Sequence, residues 1–352
     1  MASAGCHGHA TIWRYRVQWR CVLAIAVPLA FVSCNLRAPP LVLNRLLFEP
    51  HEVLLPGRVV LPLADKRATH VARVLQLRDG DSIRVGVLDG GADDAAQVRW
   101  IWPQGSSGEW SENAPRSQRP GRLTIEDMRT ALEQEPDLPE ALELTLGEET
   151  LRSPPYSPPR VDMLLVPPCE EALKRLFPQI AQLGVGTIVI CNAARCPNAI
   201  FGTRWLNNPS FVRSLLVEGL VQSGDTSVPK VVLAKRLRPF LFGGQLDEIA
   251  PRGTTLRLVA TRRGARMSQV VGLPSVFPGS AAPPARIMLA LGPEGGWLEP
   301  MESDALADAG FAPVSLGPRP LRPEVAALSS LALATDAVRR WDAVSKAVGG
   351  EP

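Results

Sequence analysis

The chain has 352 residues, a net charge of +3 and 45% hydrophobic residues, which suffices for two domains with separate cores. None of its six cysteines forms a Cys-x-x-Cys pair, and no histidine cluster accompanies the closest two, Cys191 and Cys196. This pattern argues against a zinc site or a disulfide framework, so we expect reduced thiols and no bound metal.

The first 48 residues contain no Asp or Glu and carry five arginines. An apolar run, Cys21–Val32, is interrupted by Pro28 and is too short to span a bilayer comfortably. We predict a targeting segment over residues 1–43, either an organellar transit peptide or a signal-like region on a two-step route to a plastid. A wrongly assigned N-terminus is the alternative. The expected location is a plastid or mitochondrion, without a membrane anchor in the mature form, or the cytoplasm if the segment does not function.

The next region, residues 44–150, is predicted to be a small β-rich domain. Asp65–Leu75 has helical periodicity, and the predicted strands are Asn44–Phe48, Val53–Leu61, Ser82–Leu88 and Ala141–Leu146. Residues 103–140 are rich in Pro, Ser and acidic side chains, which predicts a disordered insert with at most a short helix, Asp127–Glu135. Residues 151–160 are a proline-rich linker.

From Val161 the pattern changes to alternating apolar strands and amphipathic helices. The predicted elements are the strands Val161–Val166, Thr187–Cys191 and Thr255–Ala260 and the helices Glu170–Leu183 and Trp205–Val221. Strand–helix–strand order indicates an α/β fold with a parallel sheet over residues 161–345. The basic stretch Arg262–Arg266 is interpreted as a solvated loop.

Two glycine–proline loops near the C-terminus each follow a short apolar strand. Ile287–Leu291 leads into Gly292-Pro293-Glu294-Gly295-Gly296, and Pro313–Leu316 leads into Gly317–Arg322. One helix, from Pro300 to Gly310, separates them, and a longer one begins at Pro323 and runs to about Arg340. Ligands bind at the carboxyl ends of strands in open α/β sheets, so the pair predicts one pocket.

These loops carry a family resemblance. Leu-Gly-Pro-Glu-Gly-Gly at 291–296, Val-Ser-Leu-Gly-Pro-Arg at 314–319 and Leu-Arg-x-Glu-x-Ala-Ala at 321–327 resemble the RsmE-type 16S rRNA uracil-N3 methyltransferases of the SPOUT superfamily. The resemblance implies a trefoil-knotted domain, bound S-adenosylmethionine, a homodimer and a small-subunit ribosomal RNA substrate. Thr69–Leu75 is similar to the signature of the family's N-terminal PUA-like RNA-binding domain.

The resemblance also implies roles for individual residues. The cofactor would be held mainly by backbone groups of Leu291, Gly292, Pro293, Glu294, Gly295, Gly296, Leu316, Gly317 and Leu321. Arg322 would stabilise negative charge on the uracil oxygens. Glu324 is either a catalytic base or a residue favoured by the helix dipole, and Glu294 contacts the ribose or caps a turn.

The implied RNA contacts are His70, Arg73, Arg78 and Gln222. For Arg73 a solvated helix face is the alternative, and for His70 a packing or capping role. The chain departs from the family at Asp225 and Thr226, where arginine and asparagine are usual. This departure weakens RNA binding there or moves it to Lys230, Lys235, Arg236 and Arg238.

A further departure is Pro323, which stands where the family has threonine. The favoured function is an S-adenosylmethionine-dependent uracil-N3 methyltransferase of small-subunit rRNA. The alternatives are a catalytically weakened RNA-binding or ribosome-assembly protein with the same fold, and a related SPOUT enzyme with another target nucleotide.

Overall fold

The computed structural model describes residues 45–54, 56–104, 138–148, 160–196, 198–272 and 286–348. The predicted targeting segment, most of the predicted insert with its short helix, and the linker up to residue 159 lie outside the described residues. Within the described part of the chain, no helix combines the length and the apolar character needed to cross a membrane.

The amino-terminal part forms a five-stranded sheet, the small sheet. Its strands are β1 (Leu46–Phe48), β2 (Arg58–Pro62), β3 (Ser82–Val87), β4 (Ala92–Ile101) and β5 (Ala141–Thr145). They lie in the order β1-β3-β4-β5-β2, with β1 parallel to β3 and the other pairs antiparallel. Helix α1 (Lys66–His70) continues as a π-helical turn, Val71–Leu75.

The helix in this region forms where the sequence predicts it. Asp65 caps α1 by accepting a hydrogen bond from the backbone N–H of Arg67 at 2.8 Å. The predicted strand Val53–Leu61 is wrong in its first half, because Gly57 adopts a φ of 105° and turns the chain back so that Leu54 pairs with Arg58. Strand β4 was not predicted at all.

The carboxyl-terminal part forms a six-stranded sheet, the large sheet. Its strands are β6 (Arg160–Leu165), β7 (Val185–Cys191), β8 (Lys230–Ala234), β9 (Thr255–Arg266), β10 (Arg286–Leu291) and β11 (Ala312–Ser315). All neighbours are parallel, in the order β11-β9-β10-β6-β7-β8. This confirms the predicted α/β fold with a parallel sheet.

Helices connect and cover the strands of the large sheet, and a 3₁₀ turn follows β1 in the small sheet and β7 in the large one. The helices are α2 (Glu170–Gln182), α3 (Pro209–Ser223), α4 (Leu237–Phe242), α5 (Gln245–Ile249), α6 (Met267–Val270), α7 (Met301–Asp308) and α8 (Pro323–Val348), and the 3₁₀ turns are Pro50–Glu52 and Asn198–Gly202. Helix α8 packs against β6, β10 and α2, and α3 packs against α2. The central strands β6 and β10 are apolar at most positions, because both faces of the parallel sheet are covered, and the buried Asp162 is an exception.

Three predictions for this region need correction. Helix α3 begins at Pro209 rather than Trp205, because Asn208 caps it. The predicted loop Arg262–Arg266 is part of β9, where Ala265 and Arg266 pair with β11. The segment that forms β8, α4 and α5 was not predicted to contain elements.

The small sheet docks against α3 and the loop that follows it. The backbone N–H of Arg45 donates to the Val221 carbonyl at 3.2 Å, and that of Asp89 to the Thr226 carbonyl at 2.8 Å. The guanidinium of Arg213 on α3 binds Glu49 at 2.9 Å. Backbone and charged contacts therefore fix the two sheets together through α3 and the residues after it.

Candidate functional site

The two glycine loops leave the same edge of the large sheet. Strands β10 and β11 flank β9 and run parallel to it, and Ala290 and Pro313 both pair with the same residue, Val259. The loops after these strands therefore start at nearly the same height, two strand spacings or roughly 10 Å apart. This is the arrangement that one shared pocket requires.

The first loop needs glycine for three different reasons. A Cβ on Gly292 would lie 2.9 Å from the indole nitrogen of the buried Trp297, and one on Gly295 would lie 3.1 Å from the side chain of Arg195. Gly296 adopts a φ of 72°, and its N–H donates to the Pro293 carbonyl at 2.8 Å. The turn itself therefore uses the N–H of Gly296, and the predicted cofactor contact of Gly296 stays a prediction.

The second loop is more open. Gly317 adopts a φ of 124°, and its N–H meets the Ser315 hydroxyl oxygen at 3.2 Å. Leu316 is half-buried, whereas Leu321 and Arg322 are exposed. The Arg322 carbonyl accepts from the N–H of Ala326 at 2.9 Å and so begins helix α8.

Pro323 is the first residue of that helix and is buried. A backbone N–H at this position has no partner within a helix, so proline loses nothing there. Glu324 follows in the first turn and is half-buried. Its place beside the helix N-terminus suits a carboxylate whether or not it also accepts a proton.

A third loop, residues 192–196 after β7, joins the first one and was missed from the sequence. The guanidinium of Arg195 donates to the Gly295 carbonyl. The carboxylate of Glu302 on α7 accepts from the N–H of Ala194 at 2.7 Å and from that of Leu298 at 2.8 Å. Glu302 is only 8% exposed, so it acts as a buried clamp between the two loops.

The cysteines near this clamp are inert. Burial raises the pKa of the Cys191 thiol to about 12, and the nearby Glu302 carboxylate adds to the effect. Burial also raises the pKa of Cys196, whose sulfur lies 3.9 Å from the Pro167 carbonyl oxygen. Neither thiol ionises near neutral pH, so neither serves as a nucleophile. Among the described residues, no group of three His, Cys, Asp or Glu side chains is arranged to hold a metal ion.

A cavity of about 530 Å³ lies on the other side of the third loop. It is lined by Asn192–Ala194 and Cys196, by the segment Lys235–Pro239 after β8, and by Met301 and Glu302. None of the residues predicted to bind the cofactor lines it. The carboxyl edge of the sheet thus has two neighbouring parts, the glycine loops and this cavity, with Glu302 between them.

Comparison with known proteins identifies the family to which this chain belongs. A family model for the RNA methyltransferase domain matches residues 155–335. The ribosomal RNA small subunit methyltransferase E of Mycobacterium bovis is 31% identical over 194 residues, which span 54% of this chain and 68% of that protein. The chain belongs to the RsmE family of SPOUT RNA methyltransferases.

Other members of the RsmE family extend the match beyond the carboxyl-terminal part. The Treponema pallidum protein of the same name is 24% identical over 300 residues, covering 85% of this chain and 93% of its own length. The solved Neisseria gonorrhoeae enzyme, described as bound to S-adenosylmethionine, has 20% identity and a TM-score of 0.51 over 82% of this chain and 96% of its own.

The predicted RNA-contacting residues lie outside the carboxyl edge of this RsmE-family chain. His70 and Arg73 are half-buried on α1 and its π-helical continuation, and Arg78 is exposed in the following turn. Gln222 is exposed near the end of α3. The structure groups the first three on the small sheet and places the fourth on the large-sheet side.

The departure from the RsmE family after Gly224 has a structural role. Thr226 is 3% exposed, and its hydroxyl donates to the Gly90 carbonyl at 2.6 Å. The Asp225 carboxylate accepts from the N–H of Ser227 at 3.0 Å. Thr226 therefore fastens the small sheet to α3 and does not face solvent, where RNA would lie.

Proposed function

We propose that the protein is an S-adenosylmethionine-dependent methyltransferase that methylates N3 of a uridine in small-subunit ribosomal RNA. The observation that carries the proposal is the placement of two glycine loops at equal height on the strands flanking β9. Family membership supports it, because the curated relatives are named as small-subunit rRNA methyltransferases.

The residues present fit the cofactor. A Cβ added at Gly296 or Gly317 meets no described atom within 4 Å, so both loops face open space. Backbone approach without side chains suits a ligand recognised along its length by main-chain groups. The backbone at Leu316–Leu321 and the exposed Leu321 side chain would hold it, while Gly296 shapes the turn. When bound, S-adenosylmethionine supplies an electrophilic methyl group.

The proton on uracil N3 must leave for that nitrogen to become a nucleophile. Arg322 is exposed at the start of α8, where its guanidinium can stabilise the negative charge that spreads to the uracil oxygens. Glu324, two residues further along in the first turn of α8, is the proposed proton acceptor. A Glu324→Gln variant should lose its turnover at all pH values if Glu324 accepts the proton, and should keep it if the carboxylate only favours the helix.

Other parts of the proposal concern the whole molecule. We assign the small sheet as a PUA-like RNA-binding domain, with Arg73, Arg78 and His70 toward RNA. Helix α8 returns from the edge strand β11 to pack on β10 and β6, which supports the knotted path of the SPOUT class. Val325 and Leu333 are large apolar side chains that α8 leaves exposed, which supports a homodimer.

Two of the three sequence departures that motivated a non-catalytic alternative have structural explanations that are compatible with the enzyme. Thr226 fastens two sheets, and Pro323 occupies the first helical position, where proline is tolerated. Asp225 remains the departure that motivates the alternative, and the cofactor titration below separates the two.

The test is calorimetric titration of the purified protein with S-adenosylmethionine, followed by methylation of small-subunit rRNA and mapping of N3-methyluridine by mass spectrometry. Gly317→Ala is the site variant, and Gly184→Ala is its control, since Gly184 also has a positive φ and open surroundings but ends α2. Both should lose similar stability, but only Gly317→Ala should bind the cofactor more weakly. Absence of cofactor binding by folded wild-type protein would overturn the proposal.

A further inference from the structure

The cavity beyond the third loop has a strongly cationic rim. Lys235, Arg236 and Arg238, all exposed, follow one another just after β8 and contribute to its lining. Within the described residues, none of the three has a carboxylate at ion-pair distance. The guanidinium of Arg238 lies 5.5 Å from the Phe242 ring, an exposed aromatic side chain. We call these three residues the cationic rim.

The acidic group in this cavity does not neutralise the rim. Glu302 directs both carboxylate oxygens to backbone N–H groups, those of Ala194 and Leu298. Its charge is therefore balanced by two fixed donors. Three cations without carboxylate partners around a concave surface favour the binding of a polyanion.

The rim is joined to the glycine loops through a single intervening loop. Ala234, the last residue of β8, pairs with Cys191, and its carbonyl accepts from the N–H of Asn192 at 3.1 Å. The chain then runs to Arg195, which donates to the Gly295 carbonyl. The cofactor loops and the rim therefore lie along one edge of one sheet, held by hydrogen bonds.

We propose that Lys235, Arg236 and Arg238 bind the phosphates of the substrate RNA strand beside the methylated nucleotide, and that the cavity receives a neighbouring nucleotide. The inference rests on the proposed function and names the surface that this function uses. A volume of about 530 Å³ suits one nucleotide, since small-ligand pockets span roughly 300–1,000 Å³. The exposed side chain of Met301 provides an apolar wall for a base.

The rim explains how RNA is held when the position after Gly224 carries no arginine. Asp225 stands there, and Thr226 beside it is buried against the small sheet. Side-chain cations at the carboxyl edge supply the phosphate contacts instead. The rim follows β8, three strand spacings or roughly 14 Å from β10, at the same carboxyl edge as the first glycine loop. The surface at Asp225 belongs instead to the junction between the sheets.

The experiment removes each charge of the rim in the full-length protein. The variants are Lys235→Gln, Arg236→Gln, Arg238→Gln and the triple combination. Lys230→Gln is the matched control. The sequence also suggests Lys230 as an RNA contact, but the structure places this exposed lysine at the start of β8, roughly 16 Å from Lys235 and outside the cavity lining. Affinity for a labelled small-subunit rRNA fragment is measured over a series of KCl concentrations, with S-adenosylmethionine titrations in parallel.

Counterion release sets the expected size of the effect. Log affinity falls with log salt, and each lost phosphate contact on a single strand should make this fall less steep by about 0.7 in slope. The triple variant should be less steep by about 2. At 0.15 M salt this corresponds to roughly 4-fold weaker RNA binding for each variant and about 50-fold for the triple. KM for RNA should rise while kcat stays near wild type, and cofactor affinity should not change. Lys230→Gln should behave as wild type.

The proposal is overturned if the triple variant keeps the RNA affinity and the salt dependence of the wild type. It is also overturned if Lys230→Gln loses as much RNA affinity as the single variants of the rim. Failure of the proposed enzymatic function has a different signature, because wild-type protein would then not bind S-adenosylmethionine at all. If the wild type methylates rRNA and the triple variant does so with an unchanged KM, the function stands and the cationic rim is wrong.

Discussion

The Glu302 clamp gives the sharpest prediction. Replacing Glu302 by alanine removes the acceptor for two backbone donors, at Ala194 and Leu298, with hydrogen bonds of 2.7 and 2.8 Å. Replacing it by glutamine keeps one oxygen but turns an NH₂ group toward the other donor. The two variants therefore remove two bonds and one bond, respectively, from the contact between the third loop and the glycine loop.

The energies follow from the surroundings of each donor. A hydrogen bond to a charged group contributes about 1.5–3 kcal/mol to the free energy of unfolding. Ala194 is exposed, so water replaces its lost partner and reduces the cost there. Leu298 is half-buried, so its N–H has less access to water. We expect Glu302→Ala to cost about 2–4 kcal/mol and Glu302→Gln about half as much.

The assay combines thermal unfolding with calorimetric titration of S-adenosylmethionine, carried out well below the unfolding temperature. Affinity for the cofactor should fall in the order wild type, glutamine variant, alanine variant, because the glycine loop loses its anchor. Asp304→Asn is the control, since this exposed acidic residue lies in the same first turn of α7. If Glu302→Ala keeps the stability and the cofactor affinity of Asp304→Asn, the reasoning about the clamp fails.

Two further predictions concern the small sheet. Thr226→Val removes a hydroxyl that donates at 2.6 Å in the junction, so unfolding free energy measured in urea should fall by about 1–2 kcal/mol, whereas Thr226→Ser should retain most of it. The Arg67 guanidinium lowers the pKa values of Glu52 and Asp65 from 4.5 and 3.8 by hydrogen bonding. Their stabilisation is complete above those ordinary values and is lost as pH falls through the lower folded ones. The stability difference between wild type and Arg67→Met should therefore be constant at pH 6–8 and shrink in acid, and a difference that grows in acid would contradict this.

Most strands and helices around the site are predictable because their signals are local. The run Ile287–Leu291 is apolar and ends at a glycine, and the strand observed is β10 with one residue more at its start. Asp65 predicts the start of α1, and it accepts the capping hydrogen bond. In both cases the residues that decide the structure lie within a few positions of each other along the chain.

Strands that depend on distant partners were not predictable in the same way. The half of β9 around Arg263 is charged and exposed, so it lacks the apolar pattern of a strand. It is extended because β11 pairs with it, about fifty residues later in the chain. Strand β4 begins Ala-Asp-Asp-Ala-Ala, which is not an apolar strand pattern. It is held by pairing with β3 on one side and with β5 on the other, and β5 follows the long insert in the chain.

Some residues of the site are likewise predictable from their neighbours in the chain, whereas others depend on distant partners. Glycines at 292 and 317 are visible in the sequence because a turn after a strand needs them. Glu302 is different, since a glutamate in the first turn of a helix has an ordinary explanation in the helix dipole. Its partner at Ala194 is 108 positions away, and the distance from Arg195 to Gly295 is 100 positions. Only the fold brings these pairs together.

A departure from the family pattern has different consequences at a main-chain site and at a side-chain site. A cofactor held by main-chain groups constrains backbone shape, so Pro323 is compatible with the site as long as it occupies the first position of α8. Phosphates are bound by side-chain charge, which any suitably placed cation supplies. A change such as Asp225 for arginine therefore does not by itself indicate lost RNA binding when Lys235 and its neighbours carry charge at the edge where the cofactor loops lie. Whether RNA binding is retained depends on where the cations lie relative to those loops. The salt dependence of RNA affinity measures how many of them contact phosphates.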